Sequence, residues 1–320
     1  MPVTMTPAIL RLRRGLKRVG DAAIGAIALA ALKGMRRVDP DRTADLAGWI
    51  TRTLGPLLPE HKLARANLVA AFPKKSPAEI DAILRGAWEN LGRMGAEFAH
   101  LDRLWDYDPA QPERESRFDL DAAVKARFVK LLNDGKPALI FAAHLANWEL
   151  PAICAAANKI DSAVLYRRPN ISAIDRWVRE TRAANMGQLI ATGLEAPTKL
   201  ADALQRGAHV GMLVDQYYAR GVEVIFFGRK TRANPLLARL AQHFHCPIHG
   251  VRIIRLPNHR FRVELTDEIA PVRGTDGKID IARTMQVITG VIERWVREHP
   301  EQWLWQHRRW RPEDEANDLS

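Results

Sequence analysis

The spacing of apolar positions along this chain changes period once, near residue 134, and the two parts it separates predict different structure. Residues 42–133 read as helices. Within them Ser76-Pro77-Ala78-Glu79 is a capping box with proline at the first helical position. Behind it Ile80, Ile83, Leu84, Ala87, Leu91, Met94 and Phe98 recur at helical spacing and predict one buried stripe. A further helix over 119–133 stops at Asp134-Gly135. Beyond that point short apolar runs at 137–143, 161–166, 209–215, 222–227, 248–255 and 260–266 predict strands. Helical patterns at 147–158, 172–186, 196–206 and 234–245 lie between or after them, and a last helix over 280–298 precedes His299-Pro300. This alternation predicts an α/β fold, a central sheet covered by helices, with a helical layer contributed by residues 42–133.

The ends read differently. Arg11, Arg13, Arg14, Lys17 and Arg18 precede the apolar run 22–32, and Lys33, Arg36 and Arg37 close it. As a helix that run spans about 16 Å, half the hydrocarbon thickness of a bilayer. A cleaved signal peptide, a core helix and an interfacial anchor all fit this layout. Basic residues on both flanks favour the anchor, so residues 1–41 are expected to form an N-terminal membrane anchor or interfacial helix. Residues 42–312 form the main domain, split into a helical layer 42–133 and an α/β part 134–312, and 313–320 is an acidic tail.

Composition narrows the partners. With 320 residues and 47% hydrophobic content the chain is long and apolar enough for a proper core. A net charge of +11 favours anionic partners: nucleic acid, acidic headgroups, phosphorylated substrates or an acidic carrier protein. Cys154 and Cys246 are its two cysteines and predict buried reduced thiols; no zinc-type spacing occurs, and no metal is expected.

Chemistry concentrates after the predicted strands. His144-Leu145-Ala146-Asn147-Trp148-Glu149 follows the run 138–143, placing a histidine at the sheet edge and a carboxylate in the next helical turn. An imidazole there can take a proton from a hydroxyl, while a carboxylate holds its tautomer. A helix N-terminus with an incidental histidine is the bland alternative. Tyr166-Arg167-Arg168-Pro169-Asn170 offers two arginines for a phosphate or carboxylate, or an ordinary solvated turn. Asp215-Gln216 ends another strand, where the aspartate orients a ligand, pairs with an arginine or caps a turn. Phe226-Phe227 suits an acyl groove or core packing. The closing run 299–310, dense in tryptophan and arginine, reads as a single-strand nucleic-acid binder, a membrane belt or a segment packed on the sheet.

Taken together these pieces resemble the bacterial lipid A secondary (late) acyltransferases, a branch of the lysophospholipid acyltransferase superfamily. The resemblance rests on Arg65-Ala66-Asn67-Leu68 with Ala71-Phe72-Pro73, the His144–Glu149 stretch, Tyr166–Asn170, Asp215-Gln216, Phe226-Phe227-Gly228, and Pro300–Trp305 with His307–Trp310, in that order along most of the chain. It implies a glycerolipid-acyltransferase-like sheet and transfer of a fatty acyl chain from acyl carrier protein to a 3-hydroxyacyl hydroxyl on a Kdo-bearing lipid A precursor. It further implies His144 as general base, Glu149 holding its ring, and no acyl-enzyme or cofactor. Arg167, Arg168 and Asp215 are candidates for oxyanion or phosphate contact, with Asp215 positioning Arg168. Asn147, Trp148, Tyr166, Gln216, Phe226 and Phe227 are candidates for lining the acceptor site or acyl groove. The expected partners are acyl carrier protein, the lipid precursor and the anionic cytoplasmic face of the bacterial inner membrane, with no nucleic acid. A lysophospholipid, ornithine-lipid or other glycolipid acceptor, a non-catalytic membrane or nucleic-acid binder, and a thioesterase-like hydrolase are the competing readings.

Overall fold

The computed structural model describes residue 26 and residues 30–311, apart from 109, 112, 113 and 169–171. The anchor expected over 1–41 falls mostly outside the described residues, as do the acidic tail and Pro169-Asn170. No helix among the described residues is long and apolar enough to cross a membrane.

After helical residues 30–35 come three proline-initiated helices: α1 (Pro40–Leu54), α2 (Pro59–Ala71) and α3 (Pro77–Glu97). Each proline sits at the first helical turn, where its missing N–H costs nothing. Asp39 caps α1 by accepting from the Asp41 and Arg42 amides, and the Ser76–Glu79 capping box of α3 forms in both directions. The stripe expected on α3 is buried at Ile80, Ile83, Leu84, Ala87, Met94 and Phe98. Gly92 lets α1 approach it closely, since a Cβ there would lie 2.4 Å from the Ala47 carbonyl oxygen. The outer face of α1 is another matter: Leu46, Trp49, Ile50 and Leu54 are exposed at helical spacing, followed by Leu57 and Leu58.

Downstream come β1 (Phe118–Asp119), α4 (Ala122–Asn133), β2 (Leu139–Ala142), α5 (Leu150–Ala157), β3 (Ser162–Tyr166), α6 (Ser172–Asn185), β4 (Gln188–Ala191), α7 (Ala196–Gln205) and β5 (His209–Leu213). A hairpin, β6 (Val222–Phe226) and β7 (Arg229–Ala233), is followed by α8 (Leu236–Phe244), β8 (Ile248–Arg255), β9 (Phe261–Leu265) and α9 (Ile281–Glu298). Seven strands form one mixed sheet in the order β1-β9-β8-β2-β5-β3-β4. The five strands from β8 to β4 run parallel, while β9 is antiparallel to β8 and carries β1 parallel to itself.

The six expected strands and the expected helices from residue 76 onward form, with three additions. β4 is a four-residue edge strand that starts on a polar residue, and β1 pairs over two residues, so neither leaves a periodic signal. The third addition is β7, whose Arg229, Lys230 and Arg232 alternate with the buried Thr231 and Ala233. It pairs with β6 through a two-residue turn in which Phe227 and Gly228 both take positive φ, the twist that hairpins favour. This hairpin stands apart from the main sheet.

Side chains alternate across the sheet. One face presents Leu139, Phe141, Val210 and Met212 to a fully packed core closed by α9 and by Trp303, Trp305 and Trp310. The closing segment is therefore packed interior: the three indoles are buried, and Arg309 is buried with them, donating to Thr231 Oγ1 at 2.7 Å. The other face presents Ile140, Ala142, Gly211, Leu213 and Val164 to α4, α5 and α6, and several of these remain only half-buried.

Candidate active site

β2 delivers His144 to the carboxyl edge of the sheet. Beyond the strand the backbone turns sharply, with Ala146 at φ +46°, and the turn is stitched to the C-terminal segment. The Ala146 amide donates to the Gln302 carbonyl at 2.9 Å, and the Leu304 amide donates to the His144 carbonyl at 3.1 Å. Asn147 is wholly buried beneath the turn. Its Nδ2 donates to Glu97 Oε2 at 2.8 Å, and its Oδ1 accepts from the Glu149 amide at 3.1 Å. Glu97 in turn is paired with Arg255 of β8, whose Nη2 donates at 2.9 Å. The turn therefore rests on a buried charge-assisted network reaching from α3 to β8.

The adjacent strand β5 ends beside β2 and brings Asp215 against His144. Asp215 Oδ1 lies 2.7 Å from His144 Nδ1, and Oδ2 accepts from the His144 amide at 2.9 Å and from Trp303 Nε1 at 2.8 Å. Burial by itself would raise the Asp215 carboxyl, but the His144 ring and its amide outweigh it and hold the group well below the usual carboxylate range. With Nδ1 directed to an ionised carboxylate, the ring carries its proton there and leaves Nε2 as the acceptor. The Gln216 amide nitrogen approaches Nε2 at 3.3 Å, and Trp148 packs edge-to-face on the imidazole at 5.1 Å.

Here the geometry corrects the sequence reading of Glu149. Its carboxylate makes no hydrogen bond to the imidazole and is gripped instead by Arg182 of α6 through both oxygens, with Arg182 Nε donating at 2.9 Å. The Arg182 guanidinium lies over the Tyr166 ring at 5.7 Å. Asp215 likewise does not position Arg168: it holds His144, and Arg168 is exposed.

His144 opens on a cavity of about 590 Å³ between the half-buried sheet face and helices α4, α5 and α6. The small residues Ala152 and Ala155 of α5 leave this space, and its wall is largely apolar. Trp148, Glu149, Tyr166, Arg167 and Gln216 line it, as do Arg182, Tyr217, Tyr218 and Asn234, which the sequence did not single out. Asn147 does not line it. Phe226 and Phe227 do not either: Phe226 stacks on Trp310 with centroids 5.6 Å apart, and Phe227 meets Phe72 at 5.2 Å. Their place in the acyl groove is thus replaced by a structural one, closing the other face of the sheet. Cys154 is buried, its thiol pushed up to about 12 by that burial, which removes it as a nucleophile.

No curated protein matches the chain closely enough to count as a relative. The sequence profile of one family does match, over residues 16–312, and so spans the helical layer, the sheet, the cavity and the closing tryptophans alike. The chain belongs to the bacterial lipid A biosynthesis acyltransferase family, and is an acyltransferase.

Proposed function

We propose that this enzyme moves a fatty acyl chain from acyl carrier protein to the hydroxyl of a 3-hydroxyacyl chain on a Kdo-bearing lipid A precursor, with His144 as general base. The observation that carries the reading is the His144–Asp215 pair at the mouth of an apolar cavity, with Nε2 left to accept a proton. The acceptor hydroxyl gives its proton to Nε2 as its oxygen attacks the thioester carbonyl. Asp215 stabilises the imidazolium, which then protonates the departing thiolate as the tetrahedral intermediate collapses to the ester. The thioester is already activated, so no acyl-enzyme is needed. Arg167 at the cavity wall and Arg168 beside it supply positive charge for the oxyanion or for acceptor phosphates. Glu149 contributes by fixing Arg182 over the cavity.

The acceptor lives in a membrane, and two features suit the chain to the cytoplasmic face of the inner membrane as a surface-seated enzyme. The exposed Leu46, Trp49, Ile50 and Leu54 stripe offers an interfacial face. The net charge of +11 complements anionic headgroups, the acceptor's phosphates and an acidic carrier.

The test is the mass of a Kdo-bearing lipid A precursor after incubation with acyl carrier proteins of several chain lengths, wild type and His144→Ala in parallel. A gain of one acyl chain with wild type alone supports the reading. No gain on this acceptor, with acyl transfer to a lysophospholipid instead, reassigns the substrate. Wild-type turnover by His144→Ala removes the general base.

A further inference from the structure

Gly211 stands in the middle of the interior strand β5, paired with Ile140 on one side and Val164 on the other. Nothing in the backbone demands a glycine there. Its φ is not positive, and a Cβ would meet only Val164 Cγ2, at an ordinary 3.9 Å. Glycine inside a strand weakens it, so an unforced one usually marks a close approach to something outside the backbone. Gly211 lies on the half-buried face and lines the cavity.

Two residues deeper the cavity meets polar groups. His209 and Ser162 are register partners at the starts of β5 and β3, and both line the wall. The His209 ring is tied in place, its Nδ1 accepting from the Ala138 amide at 3.1 Å. Ser162 Oγ is buried with no hydrogen-bond partner. Leu131 and Phe128 of α4 approach from the helical side. An alkyl end gains nothing by displacing such groups, so the pair acts as a floor.

We infer that Gly211 sets the length of acyl chain this enzyme accepts, by keeping the cavity open beneath it down to the floor formed by His209 and Ser162. The inference rests on the acyl-transfer reading above and specifies its donor. At a strand rise of ~3.3 Å, Gly211 lies about 13 Å and His209 about 20 Å below the level of Asp215 and His144. A staggered hydrocarbon chain advances ~1.25 Å per carbon, so these depths correspond to roughly ten and sixteen carbons. Allowing a contact distance of ~3.7 Å at the floor leaves room for roughly twelve to fourteen. A side chain as large as leucine at position 211 would close the cavity near the tenth.

The experiment measures two things on wild type, Gly211→Ala and Gly211→Leu: acyl transfer from C8–C18 acyl carrier proteins, and binding of the matching free saturated fatty acids by calorimetry. Each methylene buried favours binding by about fourfold. Wild-type affinity and kcat/KM should climb with length and level off at C12–C14. For Gly211→Leu they should level off at C8–C10, with the C14-to-C10 ratio falling about 100-fold. A folded Gly211→Leu that keeps the wild-type length dependence, or weakens every chain equally, overturns the inference. If thermal melting shows that the leucine variant does not fold, Gly211→Ala decides. A roughly fourfold drop in the C14-to-C10 ratio supports the inference, and an unchanged ratio overturns it. If wild type transfers no chain, yet the fatty-acid plateau appears and shortens in the Gly211 variants as expected, the acceptor reading fails while the role of Gly211 stands. Absence of binding at every length overturns the inference itself.

Discussion

Asp215 reaches the His144 imidazole at 2.7 Å across the joint between β5 and β2, from 71 residues away in sequence. It grips the ring and the His144 backbone at once, while Trp303 from the C-terminal segment donates to the same oxygen as the backbone amide. The histidine is thus fixed in tautomer and in place by groups from three separate parts of the chain.

Asp215→Asn should preserve this packing and lose the tautomer control, because an amide can donate to Nδ1 and leave Nε2 protonated. We expect kcat to fall about 10³–10⁴-fold with the donor KM nearly unchanged. His144→Ala should lose on the order of 10²–10⁴. Steady-state rates against acyl carrier protein check both. An Asp215→Asn enzyme within tenfold of wild type would refute the pairing's catalytic role.

Glu149→Gln should act first on stability. Its carboxylate is 5% exposed and the Arg182 side chain 16%, so the substitution strands a guanidinium in a mostly buried site. The expected cost is about 3 kcal/mol by urea unfolding. The double variant Glu149→Gln, Arg182→Met should recover part of that loss, since it leaves no orphaned charge. Equal stability of the single and double variants would contradict the assignment.

Asn147→Ala removes the donor to Glu97 and the acceptor for the Glu149 amide together. The left-handed turn at Ala146 then loses its support, and His144 shifts relative to the cavity. A displacement near 1 Å at such a site lowers kcat by about 10². The donor KM should stay close to wild type, because the apolar wall is untouched. Parallel loss in both constants would indicate a general disturbance of the fold.

His307 makes folding sensitive to mild acid. Burial, with smaller contributions from His144 and Arg309 against the opposing pull of Asp215, pushes its imidazole down to about 4. Its Nδ1 donates to the Leu304 carbonyl and its Nε2 has no partner. The folded state therefore resists a proton that the unfolded chain takes up near pH 6.5. Stability is full above that value and falls as pH drops from about 6.5 to about 4, by on the order of 2–3 kcal/mol. Asp215 has the same sign at lower pH: its depressed carboxyl stabilises above about pH 3.8, and that contribution is lost as acid reaches the folded value. Urea unfolding at pH 7, 5.5 and 4.5 should show the slope in wild type and a flatter one in His307→Gln.

Much of this protein was decided locally. The capping box at Ser76, the stripe from Ile80 to Phe98 and the apolar runs of the strands follow from period, caps and turn residues, which act over a few positions and so can be read from sequence alone. The delivery of His144 to a sheet edge follows in the same way. What touches His144 does not. Glu149 is five residues away and reads as its partner, yet a helix start turns it toward Arg182, while strand order sets β5 beside β2 and presents Asp215. Phe226 and Phe227 look like groove lining until the hairpin folds them against Trp305 and Trp310. The cavity and its floor exist because α5 stands off the sheet on alanines and because residues 140, 164 and 211 share one face. Such arrangements depend on which distant segments pack together, a long-range choice set by the burial of whole faces, and only the tertiary structure makes it.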